Sequence, residues 1–363
     1  MVFCHQSLNN IVKRSDLFST QILHHDRRAV IVHHVNSQAV WATCNREIIV
    51  RHAGDQNWQT HAWFPRTFPR DLFLWSRPTT RAMRADKCNL FPTQSKHLLG
   101  IRGSVVYRIE SDHPIPLFSI QGDCVLHASI VEAHSGNVYF GEYFRNPERQ
   151  SVNLWCVSQD LTQFEIAHTF QPGEIRHIHG VYKDPFCTHR LWATVGDYKD
   201  ECYLIVSDDE FKTIQKIGDG SQIWRAVGLF FTREHICWLT DSHLEQNYVI
   251  SMERDTDRIT QHAPIDSPAW YCAQTTDGFY LAATTVERGP AVNTSNAFLL
   301  ISQDAINWEV VISYKKDAWP MLPFKYGVIS FPSGQFTSEA FWISGEGLIG
   351  LDGASALLCL VKG

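Results

Sequence analysis

The sequence predicts an all-β protein that folds as a seven-bladed β-propeller, with six blades as the alternative. Three observations support this fold class: a unit of about 50 residues recurs along the chain, each unit reads as four short strands, and helical signals are few. A repeat of about 40–50 residues with four strands per copy is typical of a propeller blade. Because the repeat extends over nearly the whole chain, residues 1–363 are expected to form a single domain.

A Ser-x-Asp sequence between two apolar strands marks the position of each repeat. The best copies begin at Ser158, Ser207 and Ser302, which are separated by 49 and 95 residues. The larger gap is close to two periods, and Ser251 lies in a degenerate copy between them. Upstream, Ser111 lies 47 residues before Ser158. With further copies at both ends of the chain, the repeat predicts seven blades.

The two ends of the chain predict how the ring closes. The last unit ends with the segment SALLCLVKG and lacks a fourth strand, while the N-terminal segment DLFSTQIL belongs to no unit. We therefore predict that the N-terminal strand completes the last blade. The segment 76–95 interrupts the period and is predicted to be an insertion in blade 2.

The repeated turn also carries a family resemblance. The segment Ser302–Trp308, SQDAINW, resembles the Asp-box of the BNR, or sialidase-like, propeller superfamily, and Ser158, Asp160 and Phe164 follow a similar pattern. In that superfamily the boxes lie on the face opposite the active site. The resemblance implies that these Ser and Asp side chains hold turns through hydrogen bonds with nearby backbone groups and take no part in catalysis.

Composition excludes several functional classes. Lys and Arg number 32 against 38 Asp and Glu, so the net charge is −6, and nucleic acid is disfavoured because phosphate binding needs a positive surface. No apolar run approaches the roughly 20 residues of a membrane-spanning helix, and the N-terminus lacks the apolar centre of a secretion signal. The ten Cys include no C-x-x-C pair. We expect reduced thiols and a cytoplasmic protein with no membrane partner.

Acidic residues occupy equivalent positions at the ends of four predicted second strands: Glu142, Asp197, Asp241 and Glu287. In this type of propeller, the ends of second strands and the starts of first strands meet on one face, around the axis. Acids are unfavourable in strands, so four in register indicate a functional rim. A merely solvated rim would explain one or two of them.

The starts of the first strands add basic and aromatic residues to the same face. They include Arg176, Trp224, Arg225, Trp270, Tyr271, Lys325 and Tyr326, and the connection that closes the ring adds Arg28. Arg binds carboxylate or sulfate through its planar fork, and aromatic rings supply a stacking surface. We therefore predict that this face binds a small molecule or glycan, above all an anionic sugar.

Two histidines in the fourth repeat, His177 and His179, are predicted to point to the same side of one strand. With His127 from the neighbouring first strand and an acid such as Asp197 or Glu142, they resemble a site for a divalent metal ion. The alternative is that the imidazoles hydrogen-bond to those acids without a metal.

The candidate residues predict a carbohydrate-active enzyme that acts on an anionic or uronate-containing sugar. As a glycoside hydrolase, it would use two of the four acids. As a lyase, it would use His177 or His179 as the base, Tyr271 as the acid and Arg225 on the substrate carboxylate. The alternative is a non-catalytic propeller that binds a glycan, another small ligand or a protein.

Overall fold

The computed structural model describes residues 13–111 and 113–363. Short apolar segments bounded by turns form seven small sheets, each of four strands or, in one case, five. The chain is a seven-bladed β-propeller, which confirms the predicted fold class and selects seven blades over six.

The described residues contain 29 strands, numbered here in chain order. The first ten are β1 Phe18–Asp26, β2 Ile31–Val35, β3 Ala39–Cys44, β4 Glu47–His52, β5 Gln59–Trp63, β6 Asn89–Pro92, β7 Leu98–Arg102, β8 Val105–Ile109, β9 Pro114–Ser119 and β10 Val131–Glu132. The next ten are β11 Val138–Gly141, β12 Val152–Val157, β13 Phe164–Phe170, β14 Ile178–Lys183, β15 Leu191–Val195, β16 Cys202–Ser207, β17 Gln215–Gly220, β18 Phe230–Phe231, β19 His235–Leu239 and β20 Asn247–Glu253. The last nine are β21 Ile259–Ile265, β22 Ala269–Gln274, β23 Tyr280–Thr284, β24 Asn296–Ser302, β25 Glu309–Lys315, β26 Val328–Ser330, β27 Ser333–Gly334, β28 Phe341–Glu346 and β29 Ala354–Lys362.

Helices are few and short in the described ranges. Helix α1 spans Arg77–Ala82, α2 spans Met321–Phe324, and two 3-10 helices span Arg70–Trp75 and Gln222–Trp224. None of these helices has the length and apolar character that crossing a membrane requires.

Six of the blades each take four consecutive strands, with the first strand nearest the axis and the fourth outermost. Strands β2–β5 form blade 1, β6–β9 blade 2, β10–β13 blade 3, β14–β17 blade 4, β18–β21 blade 5 and β22–β25 blade 6. The short strand β27 runs parallel to β2 at the inner edge of blade 1. This order places all connections from second to third strands on one face of the ring.

Blade 7 is built from both ends of the described chain. Its sheet has the order β26-β28-β29-β1, so the N-terminal strand is the outermost one. Strand β1 pairs antiparallel with β29, from Phe18 opposite Lys362 to Asp26 opposite Ser355. The prediction that an N-terminal strand seals the ring is confirmed.

The hydrophobic core lies between neighbouring blades. Strand β15 is buried at every position, as expected for a strand covered on both faces. At the end of β11 the packing leaves no room for a side chain, because a Cβ atom on Gly141 would lie 2.3 Å from Ile178 of the next blade. This contact holds the end of β11 against the start of β14, where several predicted site residues lie.

The Ser-x-Asp turns join the third and fourth strands of three blades. In the turn after β24, Asp304 Oδ1 accepts hydrogen bonds from the backbone N–H groups of Ile306 at 2.9 Å and Asn307 at 2.7 Å. The Ser302 hydroxyl donates to the same oxygen at 2.9 Å. Equivalent carboxylates in blades 3 and 4 are those of Asp160 and Asp209. Because neighbouring strands alternate in direction, these turns lie on the face opposite the ends of the second strands.

The connection between blades 1 and 2 carries extra residues. It contains the first 3-10 helix and α1, which begins where Ser76 accepts a hydrogen bond from the Thr79 N–H at 3.4 Å. The predicted insertion at 76–95 extends beyond this connection, because β6 begins at Asn89 and is the first strand of blade 2. The extra residues therefore lie within 64–88, ahead of the blade.

Two arginines tie α1 to the loops at blade 7. The buried Arg81 donates to Asp317, in the connection between blades 6 and 7, at 3.2 Å. Arg77 donates to Asp352, between β28 and β29, at 3.0 Å. These ion pairs fix the inserted segment across the face that carries the ends of the second strands.

Candidate functional site

The four predicted acids follow the second strands of blades 3 to 6 by one to three residues: Glu142, Asp197, Asp241 and Glu287. They share one face of the ring, as the repeat register predicted. That face holds a cleft of about 570 Å³, called the bowl below. The predicted residues that line it are Arg176, His177, Asp197, Arg225, Trp270, Glu287, Lys325 and Tyr326.

Asp197 is the centre of a polar network in the bowl. Its Oδ1 atom lies 3.1 Å from His179 Nε2 and 3.1 Å from the Arg225 guanidinium. Its Oδ2 atom accepts a hydrogen bond from Arg176 at 2.9 Å. Arg225 also pairs with Asp241 at 3.2 Å. Because Asp197, Arg225 and Asp241 are all buried, solvent screens these ion pairs only weakly.

A β-bulge places His179 in this network. The pairing of β14 with β15 shifts between Ile178 and Gly180, so His179 has no partner on β15. The same kind of shift occurs at His33 in blade 1 and at Trp270 in blade 6. Bulges re-aim the side chain of the extra residue and are common next to functional sites. The first strands of blades 1, 4 and 6 therefore each contain one aromatic or histidine residue that has no partner on the second strand.

The two histidines of blade 4 meet at their ε nitrogens. His177 Nε2 lies 3.1 Å from His179 Nε2. On the other side of each ring, Nδ1 faces a backbone carbonyl oxygen, that of Phe144 at 3.1 Å for His177 and that of Ala226 at 2.9 Å for His179. Because a carbonyl oxygen can only accept, each Nδ1 carries a proton.

Burial and neighbouring charges shift the carboxyl groups in opposite directions. Although burial alone would raise the pKa of Asp197, the charges of His177 and Arg225 hold that pKa well below its usual value. Burial raises the pKa of Asp241 to about 7, opposed by Arg225 and reinforced by Glu287. Burial likewise raises the pKa of Glu287 to about 7, opposed by Arg225 and reinforced by Asp197. Asp197, Asp241 and Glu287 thus form a buried group with more acid than Arg176 and Arg225 neutralise.

The raised pKa of Glu287 predicts a pH-dependent effect of Glu287→Gln. A carboxyl whose folded pKa exceeds its unfolded value contributes stability at low pH and loses that contribution as the pH rises through about 7. Glu287→Gln removes the ionisable group, so at pH 8 it should raise the free energy of unfolding by about 2 kcal/mol. At pH 4 it should leave stability nearly unchanged. Urea unfolding at both pH values measures this, with Glu165→Gln on the exposed strand β13 as the control. If Glu287→Gln changed the free energy of unfolding by the same amount at pH 4 and pH 8, the raised pKa of Glu287 would be contradicted.

Glu142, predicted to be catalytic, is held by three hydrogen bonds within and next to blade 3. Its carboxylate accepts hydrogen bonds from the backbone N–H groups of Gln121 at 3.0 Å and Asn153 at 2.9 Å, and from the Trp155 indole at 3.2 Å. The side chain is buried and does not line the bowl. Glu142 therefore ties the connection before blade 3 to the blade itself.

Two predicted ligand-binding residues also lie outside the bowl. Trp224 belongs to the second 3-10 helix, and its ring stacks on that of Trp238 with centroids 5.6 Å apart, so it is part of the core. The repeat register failed here because the first strand of blade 5 begins only at Phe230. Arg28 lies at blade 1, where it pairs with Glu47 at 3.2 Å.

A second cavity, of about 180 Å³, shares part of its lining with the bowl and contains His127 and Tyr271. Their rings lie 5.7 Å apart, and burial lowers the pKa of His127 to about 3. In the described part of the chain, the group of side chains that could hold a metal ion is His177, His179 and Asp197, whose ligand atoms lie within 4.8 Å of one another. His127 is not part of this group. The structure therefore brings together two of the three predicted histidines and the predicted acid Asp197.

Several basic side chains of the bowl were missed by sequence reasoning. Arg84, Arg145 and Arg288 line it together with the predicted Lys325. Within 13–111 and 113–363, none of these four side chains has a hydrogen-bond or ion-pair partner. Arg84 comes from the inserted segment, which has no place in the repeat. The available signal was the basic sequence RPTTRAMRADK in that segment.

Comparisons with solved structures identify the fold. YCF48 bound to D1 peptide matches with a TM-score of 0.54 and 9% sequence identity, covering 96% of this chain and 97% of that one. The AfRom2 CNH domain matches with a TM-score of 0.53 and 8% identity, covering 94% and 98%. The sequence itself matches no protein-family model and no curated protein. At these identities the similarity shows the propeller fold alone.

Proposed function

We propose that this chain is a binding propeller whose bowl holds a ligand with a carboxylate group. The observation that carries the proposal is the pair Arg84 and Lys325, two basic side chains without partners in the described structure, brought together from separate connections. Basic side chains that line a cleft without an internal partner are available to a ligand anion. Arg145 and Arg288 extend the same charge across the cleft.

The backbone at both residues supports this assignment. Arg84 has φ 53° and Lys325 has φ 63°, so both adopt the left-handed conformation that non-glycine residues rarely use. Such strained positions concentrate at ligand sites, where the fold must hold a side chain in one place. Burial and the charges of Arg84 and Arg145 lower the pKa of Lys325. A bound anion would offset this repulsion.

The wall of the bowl suits a ligand with a flat or apolar body. Trp270 and Tyr326 meet edge to face with ring centroids 5.6 Å apart, and Tyr143 lines the same cleft. Aromatic faces stack on sugar rings and on peptide side chains alike. A uronate-containing glycan and an acidic peptide both present a carboxylate beside an apolar surface. Both are therefore tested as ligands.

Binding is better supported than catalysis. Of the predicted catalytic residues, Glu142 is held in structural hydrogen bonds, Tyr271 lies in the second cavity, and Asp197 is fully engaged by its four neighbours. Among the similar structures, YCF48 is described as bound to a peptide. These observations favour the non-catalytic alternative over the glycoside hydrolase and the lyase.

Binding measurements with matched probes test the proposal. Isothermal titration calorimetry would compare oligogalacturonate with a neutral oligosaccharide of equal length, and a short Glu-rich peptide with its Gln counterpart. We expect one acidic probe to bind and its neutral counterpart to fail. Arg84→Met and Lys325→Met should each weaken binding at least about tenfold, because each removes a direct contact with the carboxylate.

Stability separates a binding role from a structural one. Lys325→Met should leave the melting temperature unchanged or raise it, because burial and the charges of Arg84 and Arg145 disfavour the Lys325 cation. Lys216→Met is the matched control, since Lys216 pairs with Glu174 at 2.8 Å on the outer strand of blade 4 and should not affect binding. The proposal fails if neither acidic probe binds at millimolar concentration, or if the neutral probes bind equally well.

We also propose that the chain is related to the Asp-box propellers. Support comes from the three turns in which a Ser hydroxyl and an Asp carboxylate hydrogen-bond to each other, at 2.6 Å for Ser158, 2.9 Å for Ser207 and 2.9 Å for Ser302. The turns occur at the same place in these three blades, which is what a repeated structural motif requires.

A further inference from the structure

We infer that His177, His179 and Asp197 form a binding site for one divalent metal ion, with Zn²⁺ as the best-suited ion. The three side chains offer two imidazole nitrogens and one carboxylate oxygen, the ligand types that zinc prefers in sites with an open position. The site is independent of the carboxylate ligand proposed above, since neither Arg84 nor Lys325 belongs to it.

The hydrogen bonds of the two rings leave three acceptors facing one another. Each Nδ1 donates to a backbone carbonyl, so in their neutral form the rings present their Nε2 lone pairs to each other across 3.1 Å. Asp197 Oδ1 lies 3.1 Å from His179 Nε2 and 3.3 Å from His177 Nε2. Three facing acceptors repel unless a cation lies between them. A histidine that donates Nδ1–H to a backbone carbonyl is also the usual orientation of a metal ligand.

The spacing of these three atoms fits a small ion. The two Nε2 atoms and Asp197 Oδ1 form a triangle with sides of 3.1–3.3 Å. With metal–ligand bonds of about 2.0–2.1 Å, an ion bound to all three atoms would lie roughly 1 Å out of their plane, with ligand–metal–ligand angles of about 100–107°. Those angles are close to tetrahedral. Three protein ligands on one side leave the fourth position open to water or a ligand. His177 and Asp197 line the bowl, which gives that position access to the cleft.

The charges around the site accommodate a divalent ion. The buried acids are Asp197, Asp241 and Glu287, whereas the arginines hydrogen-bonded to Asp197 are Arg176 and Arg225. With neutral imidazoles, these five groups carry one net negative charge when all are ionised. Oδ1 of Asp241 has no hydrogen-bond partner among the described residues. Within this group, added positive charge would therefore compensate buried acid, and in the described part of the chain Arg84, Arg145, Arg288 and Lys325, which line the same bowl, make no ion pair with any of the five side chains.

A proton is the alternative occupant. If one ring were an imidazolium, its Nε2–H would donate to Asp197 or to the other ring, and the same distances would result without a metal. If a metal ion occupies the site, the protein contains one metal per chain and neither Nε2 carries a proton. If a proton occupies it, the protein contains no metal there and one Nε2 is protonated, so both the metal content and the protonation of Nε2 have to be measured.

Metal content on the full-length protein is the first measurement. The protein is stripped with a chelator, equilibrated with Zn²⁺, desalted, and analysed by inductively coupled plasma mass spectrometry. We expect about one zinc per chain in the unmodified protein and in His127→Gln, which lies outside the site. His179→Gln and His177→Gln should each retain at least about fivefold less, because each removes one of three ligands.

Nitrogen-15 NMR of the histidine rings is the second measurement and needs no variant. Zinc addition should shift the Nε2 resonances of two rings while both Nδ1 atoms keep their protons. The inference is overturned if the unmodified protein retains less than about a tenth of a zinc per chain, if His179→Gln retains as much as His127→Gln, or if an Nε2 proton persists at saturating zinc. If a variant fails to fold, the spectra of the unmodified protein decide.

Discussion

Asp197→Asn is expected to destabilise the protein by about 3–5 kcal/mol, the cost of removing one partner from a buried ion pair. Asp197 contacts Arg176, Arg225, His177 and His179, and its side chain is only 8% exposed. Asparagine keeps the shape but removes the negative charge, so the buried Arg225 retains Asp241 alone. Guanidinium unfolding in the presence of a chelator measures the change without a contribution from bound metal.

Asp208→Asn is the matched control for Asp197→Asn. Asp208 pairs with Arg190 at 2.7 Å, but its side chain is 63% exposed, so its loss should cost less than about 1 kcal/mol. Equal effects of the two substitutions would mean that Asp197 does not hold the arginines of the bowl, and the network described here would be wrong.

Removal of strand β1 is expected to destabilise the protein at least as much as Asp197→Asn does. A chain that begins at residue 27 lacks the outermost strand of blade 7, so the edge of β29 is left without its antiparallel partner. We expect the melting temperature to fall by more than about 10 °C relative to a chain that begins at residue 13. The exposed edge should also cause aggregation, which size-exclusion chromatography measures.

Two proline substitutions separate the hydrogen bonds of β1 from its side chains. Thr20 lies opposite Leu360, whose N–H donates to Ser338 and not to β1, so Thr20 belongs to a pair that exchanges no hydrogen bonds. Gln21, opposite Cys359, therefore belongs to a hydrogen-bonded pair. Gln21→Pro should destabilise clearly more than Thr20→Pro, since only the former removes a donor from the ladder. Equal effects would contradict this pairing register.

The fold was predictable because its information is local and repeated. Each Ser-x-Asp turn, such as the one at Asp304, is set by hydrogen bonds within a few residues, so the motif can be recognised without knowledge of the rest of the chain. The closure of blade 7 followed from an incomplete last unit and an unassigned first strand. Both inferences use only the order of strands along the chain.

The site was predictable only where it follows the repeat. Asp197, Asp241 and Glu287 each follow the end of a second strand by two or three residues, and the structure brings them to one face. Arg84 was missed because the inserted segment has no register, and its place in the bowl depends on ion pairs with residues far away in the sequence. Trp224 was misplaced because a 3-10 helix delays the start of the first strand of blade 5. Sequence periodicity does not encode either kind of departure.

The pairing of Phe18 with Lys362 has a mechanical consequence. The chain enters β1 and leaves β29 at the same end of an antiparallel pair, so a force that pulls these two residues apart acts across the ladder and not along it. The hydrogen bonds would then break one after another, as in the opening of a zipper, instead of sharing the load. The ring should therefore open at low force when it is pulled at Phe18 and Lys362, and optical tweezers attached at these two residues would record a first unfolding event at low force.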